Sequence, residues 1–170
     1  LEVGTKLWAG SHLKSAKKTK NIIDSGNEIR KNLGHWLSGT FYFEGEWYWG
    51  IDRLHHLERR LIESDISSNN SSPIVKRPEE NFNERLNASF LSLEFFPSLR
   101  SPYSAICFDR VISLADKAQI NLVLKPVMPM MMRGVSASRN KQIYIMTDAK
   151  READYYEQKL GPIVDPIGSP

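Results

Sequence analysis

A serine and a proline stand immediately before an apolar, helix-like stretch in "SLRSPYSAICFDR", residues 98–110. Serine is a favourable helix N-cap, and proline suits the first helical position, where an N–H group would have no partner. A helix start also presents unpaired N–H groups and the positive end of the helix dipole, so it stabilises an anion such as a thiolate. Ser101 is therefore either a plain cap or a hydroxyl that donates to a bound anion.

The composition is that of a globular protein and excludes few functions. The chain has 170 residues, of which 41% are hydrophobic and 25% charged, enough for one compact domain or for parts of two. The net charge of +3 is too small to indicate nucleic acid, so we expect no nucleic-acid partner. The densest basic run, residues 12–20, is typical of a solvated helix face.

The single cysteine, Cys107, excludes an intramolecular disulfide, a CxxC redox pair in these residues and a cysteine-rich zinc site. We expect it to be a small buried residue rather than a nucleophile. No apolar run approaches the roughly 20 residues of a membrane span, and the first residues do not form a signal peptide. These features predict a cytoplasmic protein that does not bind a membrane.

An antiparallel hairpin is predicted in "SGTFYFEGEWYWG", residues 38–50, with its turn at Glu44-Gly45. Residues 51–63 then have the spacing of an amphipathic helix. We expect its leucines to be buried and the arginines of the opposite face to be exposed. The leucines are Leu54, Leu57 and Leu61, and the arginines are Arg53, Arg59 and Arg60.

Residues 5–35 are predicted to be helical and polar, with breaks at Gly10 and near Ser25-Gly26. Residues 64–88 are polar and rich in serine, asparagine and proline, which is typical of a linker or a long surface connection.

A strand, a helix and a second strand are predicted in residues 90–127. The apolar runs 90–96 and 120–127 are expected to be buried strands, and the helix begins at Pro102 or Tyr103. Short connections of this kind favour a right-handed unit with parallel strands. The apolar stripe of the helix consists of Phe108, Val111, Ile112 and Ala115. An irregular loop is predicted for residues 128–140, followed by a helix over 141–159.

Four stretches resemble the branch of the DsbA-like thioredoxin superfamily that contains 2-hydroxychromene-2-carboxylate isomerases and kappa-class glutathione transferases. "SPYS" (101–104) is similar to the start of that branch's first helix, and "LVLKPVMP" (122–129) to its second strand. "NKQIYIMTDAKREA" (140–153) is similar to its inserted helical region. "EGEWYWGIDRLHHLERRL" (44–61) is similar to its last strand and helix. The resemblance implies an α/β, thioredoxin-like fold with an inserted helical region.

The order of these stretches is reversed for one such domain, because the segment similar to the end of the fold comes first. The simplest interpretation is a tandem arrangement. Residues 1–63 would be the C-terminal part of one thioredoxin-like domain, residues 64–88 a linker, and residues 89–170 the N-terminal part of a second domain. A circular permutation is the alternative, and it would join both halves in one sheet. The cis-proline usual in the family has no counterpart in residues 37–41, which puts the activity of the first domain in doubt.

The resemblance also implies a chemistry. Glutathione, as cosubstrate, would supply the thiol that the protein lacks, and Ser101 would donate a hydrogen bond to its sulfur. The expected reaction is isomerisation of the 2-hydroxychromene-2-carboxylate type, or glutathione transfer, on a small aromatic substrate. The implied binding residues are Arg100, Pro102, Tyr103, Asp52 and Lys141, with the cations suited to carboxylates and Asp52 to the γ-glutamyl amine.

Each of these assignments has a structural alternative. Asp52 could be a helix-terminal carboxylate paired with Arg53, and Tyr103 could be a core residue. The whole chain could be a non-catalytic thioredoxin-like binding module, and a homodimer is compatible with either function. We expect no metal site, because the adjacent His55 and His56 should diverge on a helix. The methionines of residues 128–132 either line an apolar cleft or fill the core.

Overall fold

The computed structural model describes residues 15–64, 73–77 and 89–162. The predictions for residues 5–14, for most of the linker and for residues 163–170 lie outside the described residues. The chain divides between Ser38 and Gly39 into two compact units, 1–38 and 39–170. The fold is mixed α/β. Residues 39–63 share a unit with residues 89–162, so the division falls before the hairpin and not in the predicted linker. The assignment to tandem thioredoxin-like domains remains a prediction.

The first unit contains helix α1, Ala16–Asn32, whose start is capped by the Ser15 hydroxyl accepting from the Lys18 N–H at 3.4 Å. The helix runs through Ser25 and Gly26 without interruption, so the predicted break is wrong. A glycine inside a helix costs only about 1 kcal/mol relative to alanine, which the neighbouring turns tolerate. No residue of α1 is buried.

The predicted hairpin is confirmed. Strands β1, Thr40–Phe43, and β2, Glu46–Trp49, pair antiparallel, with Thr40 opposite Trp49 and Phe43 opposite Glu46. Glu44 (φ 45°) and Gly45 (φ 86°) both take left-handed backbone conformations, as a two-residue turn between twisted strands requires. A 3-10 turn over Ile51–Arg53 leads into helix α2, Leu54–Glu63. We refer to residues 39–63 as the hairpin–helix region.

The predicted strand–helix–strand unit is also confirmed. Strand β3, Ser92–Phe95, and strand β4, Asn121–Leu124, are parallel neighbours, and helix α3, Pro102–Ala118, connects them. Ser101 is the N-cap and Pro102 the first helical residue. On one side of the sheet, the Phe95 ring lies 5.7 Å from the ring of Phe108 on α3.

The prediction that these two strands are buried is wrong. Every residue of β3 and β4 is exposed or half-buried, because the pair forms a two-stranded sheet of its own. The hairpin forms a second two-stranded sheet. Among the described strands, the single sheet that a circular permutation would build is therefore not formed.

Helix α4, Arg139–Tyr155, contacts the hairpin–helix region through side-chain hydrogen bonds. It follows a loop that contains a 3-10 turn over Met130–Arg133, and Ser138 caps its start. It packs against α3. Its buried residues are Tyr144, Asp148, Ala149, Glu152 and Ala153. Within the described part of the chain, none of the helices combines the length and the apolar character that a membrane span requires.

The face of α2 that is most buried differs from the one predicted. His56 is its buried residue, while Leu54, Leu57 and Leu61 are each half-buried. The Arg53 side chain, predicted to be exposed, keeps only 14% of its surface, whereas Arg59 keeps 49%. The helix is rotated in this way because Arg53 and His56 contact the two carboxylates of α4.

Candidate functional site

Two carboxylates occupy the buried face of α4. Asp148 and Glu152 are one helical turn apart, so their side chains lie on the same face, and they keep only 1% and 5% of their surface. Charged side chains are almost never buried to this extent without a partner. Both have partners from other elements. The buried network, as we call it, consists of Arg53, His56, Tyr103, Asp148 and Glu152.

Asp148 accepts hydrogen bonds from three side chains. The Arg53 Nε donates to both of its oxygens at 2.9 and 3.1 Å, and Arg53 Nη2 donates at 3.0 Å. The Tyr103 hydroxyl donates at 2.7 Å, and Arg151 at 3.2 Å. Burial raises the pKa of Tyr103 well above its usual value, and its hydrogen bond to Asp148 adds to this. Tyr103 is therefore a permanent donor that fixes the first turn of α3 to α4.

Glu152 lies between an imidazole and a guanidinium group. His56 Nε2 is 2.8 Å from Oε1, and Arg77 Nη1 donates to Oε2 at 2.8 Å. Burial alone would raise the pKa of Glu152, but the hydrogen bonds from His56 and Arg77 lower it to about 2. The Arg77 guanidinium also lies over the rings of Tyr155 and Tyr156, at 5.4 and 4.7 Å.

Arg77 belongs to a short described segment, residues 73–77, that docks on α2 and α4. The Glu58 carboxylate accepts the backbone N–H groups of Ile74 and Val75, each at 2.7 Å. Residues 73–77, which lie in the predicted linker, are thus held both by backbone hydrogen bonds to Glu58 and by the side chain of Arg77. Proximity in the sequence gives no indication of this contact, because Arg77 and Glu152 are far apart in the chain.

The two histidines do not diverge as predicted. Their ring centroids are 4.0 Å apart, and the Tyr155 ring packs edge-on against both. His55 Nε2 and His56 Nδ1 are buried and have no hydrogen-bond partner among the described residues. Burial, the neighbouring imidazole of His56 and the positive charge of Arg77 lower the pKa of His55 to about 4.

A second layer of charge surrounds the network on its more exposed side. Glu46 accepts from Arg151 at 3.0 Å, from Arg60 at 2.9 Å and from the Tyr48 hydroxyl at 3.1 Å. Burial alone would raise the pKa of Glu46, but these hydrogen bonds and positive charges lower it. The three residues Glu46, Arg60 and Arg151 line an open cleft of about 250 Å³. The cations that line the cleft are paired with carboxylates.

Ser101 lies half-buried at the start of α3. Its Oγ accepts from the Ser104 N–H at 3.4 Å, and Ser104 Oγ in turn accepts from the Ser98 N–H at 3.0 Å. Ser98 also pairs with Val127 in a parallel bridge, so the turn before α3 lies beside the loop after β4. This is the carboxyl end of the two parallel strands, where α/β proteins commonly bind ligands.

The other predicted binding residues lie in different surroundings. Pro102 is buried, and Tyr103 belongs to the buried network. Asp52 pairs with Arg53 at 2.7 Å while 70% of its side chain stays exposed, as expected for the ion-pair interpretation. Arg100 is exposed, and the half-buried Lys141 has its Nζ 3.6 Å from the sulfur of Met130. The structure thus links Asp52 to Tyr103, through Arg53 and Asp148.

Three methionines of the loop that follows β4 are exposed. Met128, Met131 and Met132 keep 50%, 60% and 48% of their surface, so they do not fill a core.

Cys107 is half-buried rather than fully buried, and burial raises the pKa of its thiol. A raised pKa leaves less thiolate at neutral pH, which agrees with the prediction that Cys107 is not a nucleophile.

Sequence reasoning missed Arg53 and Glu152 as partners in a buried network. One signal was present: Asp148 and Glu152 fall on the same helical face as Tyr144, Ala149 and Ala153. Carboxylates within an otherwise apolar stripe indicate buried partners. Nothing in the local sequence names those partners.

No protein-family model matches this chain, and neither a curated protein nor a solved structure shows significant similarity to it.

Proposed function

We propose that the chain is part of a glutathione-dependent isomerase, of the 2-hydroxychromene-2-carboxylate isomerase type, or of a related glutathione transferase. Ser101 would hold the thiolate of glutathione. One observation carries the proposal: the Ser101 hydroxyl accepts the Ser104 N–H, so its own proton is available for another acceptor. It does so at the first turn of a 17-residue helix, where N–H groups and the helix dipole favour an anion.

The chemistry of the predicted binding residues supports a site for glutathione and an aromatic substrate. The exposed methionines of residues 128–132 offer an apolar surface on the loop that begins beside the turn. Arg100 and Lys141 supply cations for carboxylates, and Asp52 keeps an exposed carboxylate although it is paired with Arg53. When bound, glutathione would supply the nucleophilic sulfur, and the protein would supply the hydrogen bond, the helix dipole and the apolar surface.

A non-catalytic binding module is the second candidate, and one observation favours it. The Ser101 cap is complete without any ligand, like the caps that Ser15 and Ser138 form on the other two long helices among the described residues. Under this alternative, Ser101 contributes to helix stability alone.

The two functions differ in how Ser101→Ala affects a bound thiol. Absorbance of the thiolate in the ultraviolet, followed across pH with glutathione and the 170-residue chain, gives the pKa of the bound thiol. If Ser101 donates to sulfur, its removal should raise that pKa by about one to two units, because a hydrogen bond to a charged group contributes about 1.5–3 kcal/mol. Turnover at neutral pH should fall by about one to two orders of magnitude.

Ser138→Ala is the matched control, since it removes the equivalent cap from α4. Both variants should lose about 1 kcal/mol of stability, but only Ser101→Ala should change the titration. Ser104→Ala removes a neighbouring hydroxyl and should also leave the thiol pKa unchanged. Absence of glutathione binding, or the same titration for all three variants and the parent chain, would contradict the proposal and favour the binding module.

A further inference from the structure

The imidazoles of His55 and His56 and the carboxylate of Glu152 form a compact set of metal-ligand groups. One ligand atom from each residue lies within 4.8 Å of the others. His56 is buried, Glu152 keeps 5% of its surface, and Tyr155 closes one side of the two rings. Bound zinc with nitrogen and oxygen ligands near 2.1 Å would hold these atoms about 3.4 Å apart, so side-chain rotations must close a gap of at most about 1.4 Å.

Two buried imidazole nitrogens in this set have no hydrogen-bond partner in the part of the chain that the structure describes. They are His55 Nε2 and His56 Nδ1. An unpartnered buried polar atom costs about 1–3 kcal/mol, so two of them on neighbouring rings call for an explanation. Coordination would satisfy such a lone pair, because a neutral imidazole binds a metal through an unprotonated nitrogen.

We propose that His55, His56 and Glu152 bind a divalent ion of the zinc type. Two nitrogens and one carboxylate oxygen are a donor set that suits Zn²⁺ and Co²⁺, with a fourth position left for water. This site is separate from Ser101 and does not depend on the function proposed above.

Arg77 gives the proposal a specific consequence. Its guanidinium donates a hydrogen bond to Glu152 Oε2 at 2.8 Å, and the Arg53 Nε lies 3.6 Å from Glu152 Oε1. Both cations repel an incoming metal ion, and Arg77 must give up its contact or share the carboxylate. Arg53 has a second carboxylate in Asp148, whereas the described structure gives Arg77 only Glu152 as an ion-pair partner. Metal binding and docking of residues 73–77 should therefore compete.

The test is titration of the 170-residue chain with Co²⁺, whose visible absorption reports tetrahedral coordination, and with Zn²⁺ against a chromophoric chelator. We expect one equivalent to bind. His55→Ala should weaken binding at least tenfold, and it removes no hydrogen bond seen in the structure, so its fold should be retained. Glu152→Gln should weaken binding similarly, with circular dichroism to verify folding.

Arg77→Gln should have the opposite effect and tighten binding about three- to tenfold, because it removes the competing cation. His35→Ala is the control for a histidine outside the cluster and should leave the affinity unchanged. The proposal is overturned if neither the parent chain nor Arg77→Gln binds Co²⁺. It is equally overturned if binding is insensitive to His55→Ala, which would leave His56 and Glu152 as a structural pair.

Discussion

Within the β3–α3–β4 unit, backbone hydrogen bonds join the two strands and α3 packs half-buried apolar side chains such as Phe108 against them, with Tyr103 as a polar link to α4. The hairpin–helix region, in contrast, contacts α4 through charged and hydroxyl groups. Its links to α4 include Arg53 with Asp148, His56 with Glu152, and the Trp49 N–H with the Tyr144 hydroxyl at 3.1 Å.

This difference in contacts determines how strongly a substitution in each region changes the stability of the protein. Apolar contacts are non-directional, so a half-buried unit tolerates small rearrangements. A buried ion pair needs every partner, because removing one leaves an uncompensated charge in a poorly solvated place. We therefore expect single substitutions in the network to act more strongly than substitutions of similar size elsewhere.

Asp148→Ala should have the largest effect, about 3–5 kcal/mol of destabilisation, because it leaves Arg53 and Tyr103 without their shared acceptor. Urea denaturation measures the loss. Hydrogen exchange should locate it, with protection falling in residues 40–49 and 54–63 more than in strands β3 and β4.

Asp154→Ala is the matched control on the same helix. Asp154 pairs with Lys150, but both side chains are more than half exposed, so the cost should stay below about 1 kcal/mol. Equal losses for the two variants, or equal loss of protection in both regions, would contradict the comparison.

The two regions also differ in how far the sequence predicts them. The parallel unit follows from local features: apolar runs for the strands, Ser101-Pro102 for the helix start, and a short connection. The hairpin turn follows from Glu44-Gly45 in the same way. The network could not be predicted, because its partners are between 45 and 96 residues apart and no local pattern selects Asp148 for Arg53.

The predictions of strand burial and of the buried face of α2 were wrong for a related reason. The apolar runs near 90–96 and 120–127 predict buried strands only if other elements cover them, and the described residues cover one side in part. The leucine spacing predicted which face of α2 is apolar, but the two carboxylates of α4 determine which edge is buried. Tertiary contacts overrode the local pattern in both cases.

Tyr103→Phe should have an intermediate effect and tests the junction between the two regions. The variant keeps the ring on α3 and removes only the donor to Asp148, at a cost of about 1.5–3 kcal/mol. Tyr48→Phe is the control, because its hydroxyl donates to Glu46, whose side chain is 34% exposed and accessible to water. We expect that variant to cost about 1 kcal/mol or less.

A double variant sharpens this prediction. Once Asp148 is alanine, Tyr103→Phe should cost little, because the hydroxyl has already lost its acceptor. Additive losses in the double variant would show that Tyr103 acts through its ring packing and not through the network.

The smallest expected effect is a pH dependence at the exposed side of the hairpin–helix contact. Burial alone would raise the pKa of Glu46, but hydrogen bonds from Arg151 and Tyr48 and the charges of Arg151 and Arg60 lower it below 4.5. A carboxylate with a lowered pKa in the folded state stabilises that state above its unfolded pKa, and this contribution is lost as the pH falls. Stability should therefore decrease below pH 4.5, by less than about 1 kcal/mol because Glu46 is partly solvated.

The difference between the parent chain and Glu46→Gln, from urea denaturation between pH 6 and 3, isolates this contribution. It should shrink in 1 M salt, where charges are screened over about 3 Å. Glu94→Gln removes the partner of Lys125 in the parallel unit, where both side chains are more than 40% exposed, and should give a smaller difference. If Glu94→Gln changes the pH profile as much as Glu46→Gln does, charge contributes equally to both regions, and the contrast between them is limited to the buried network.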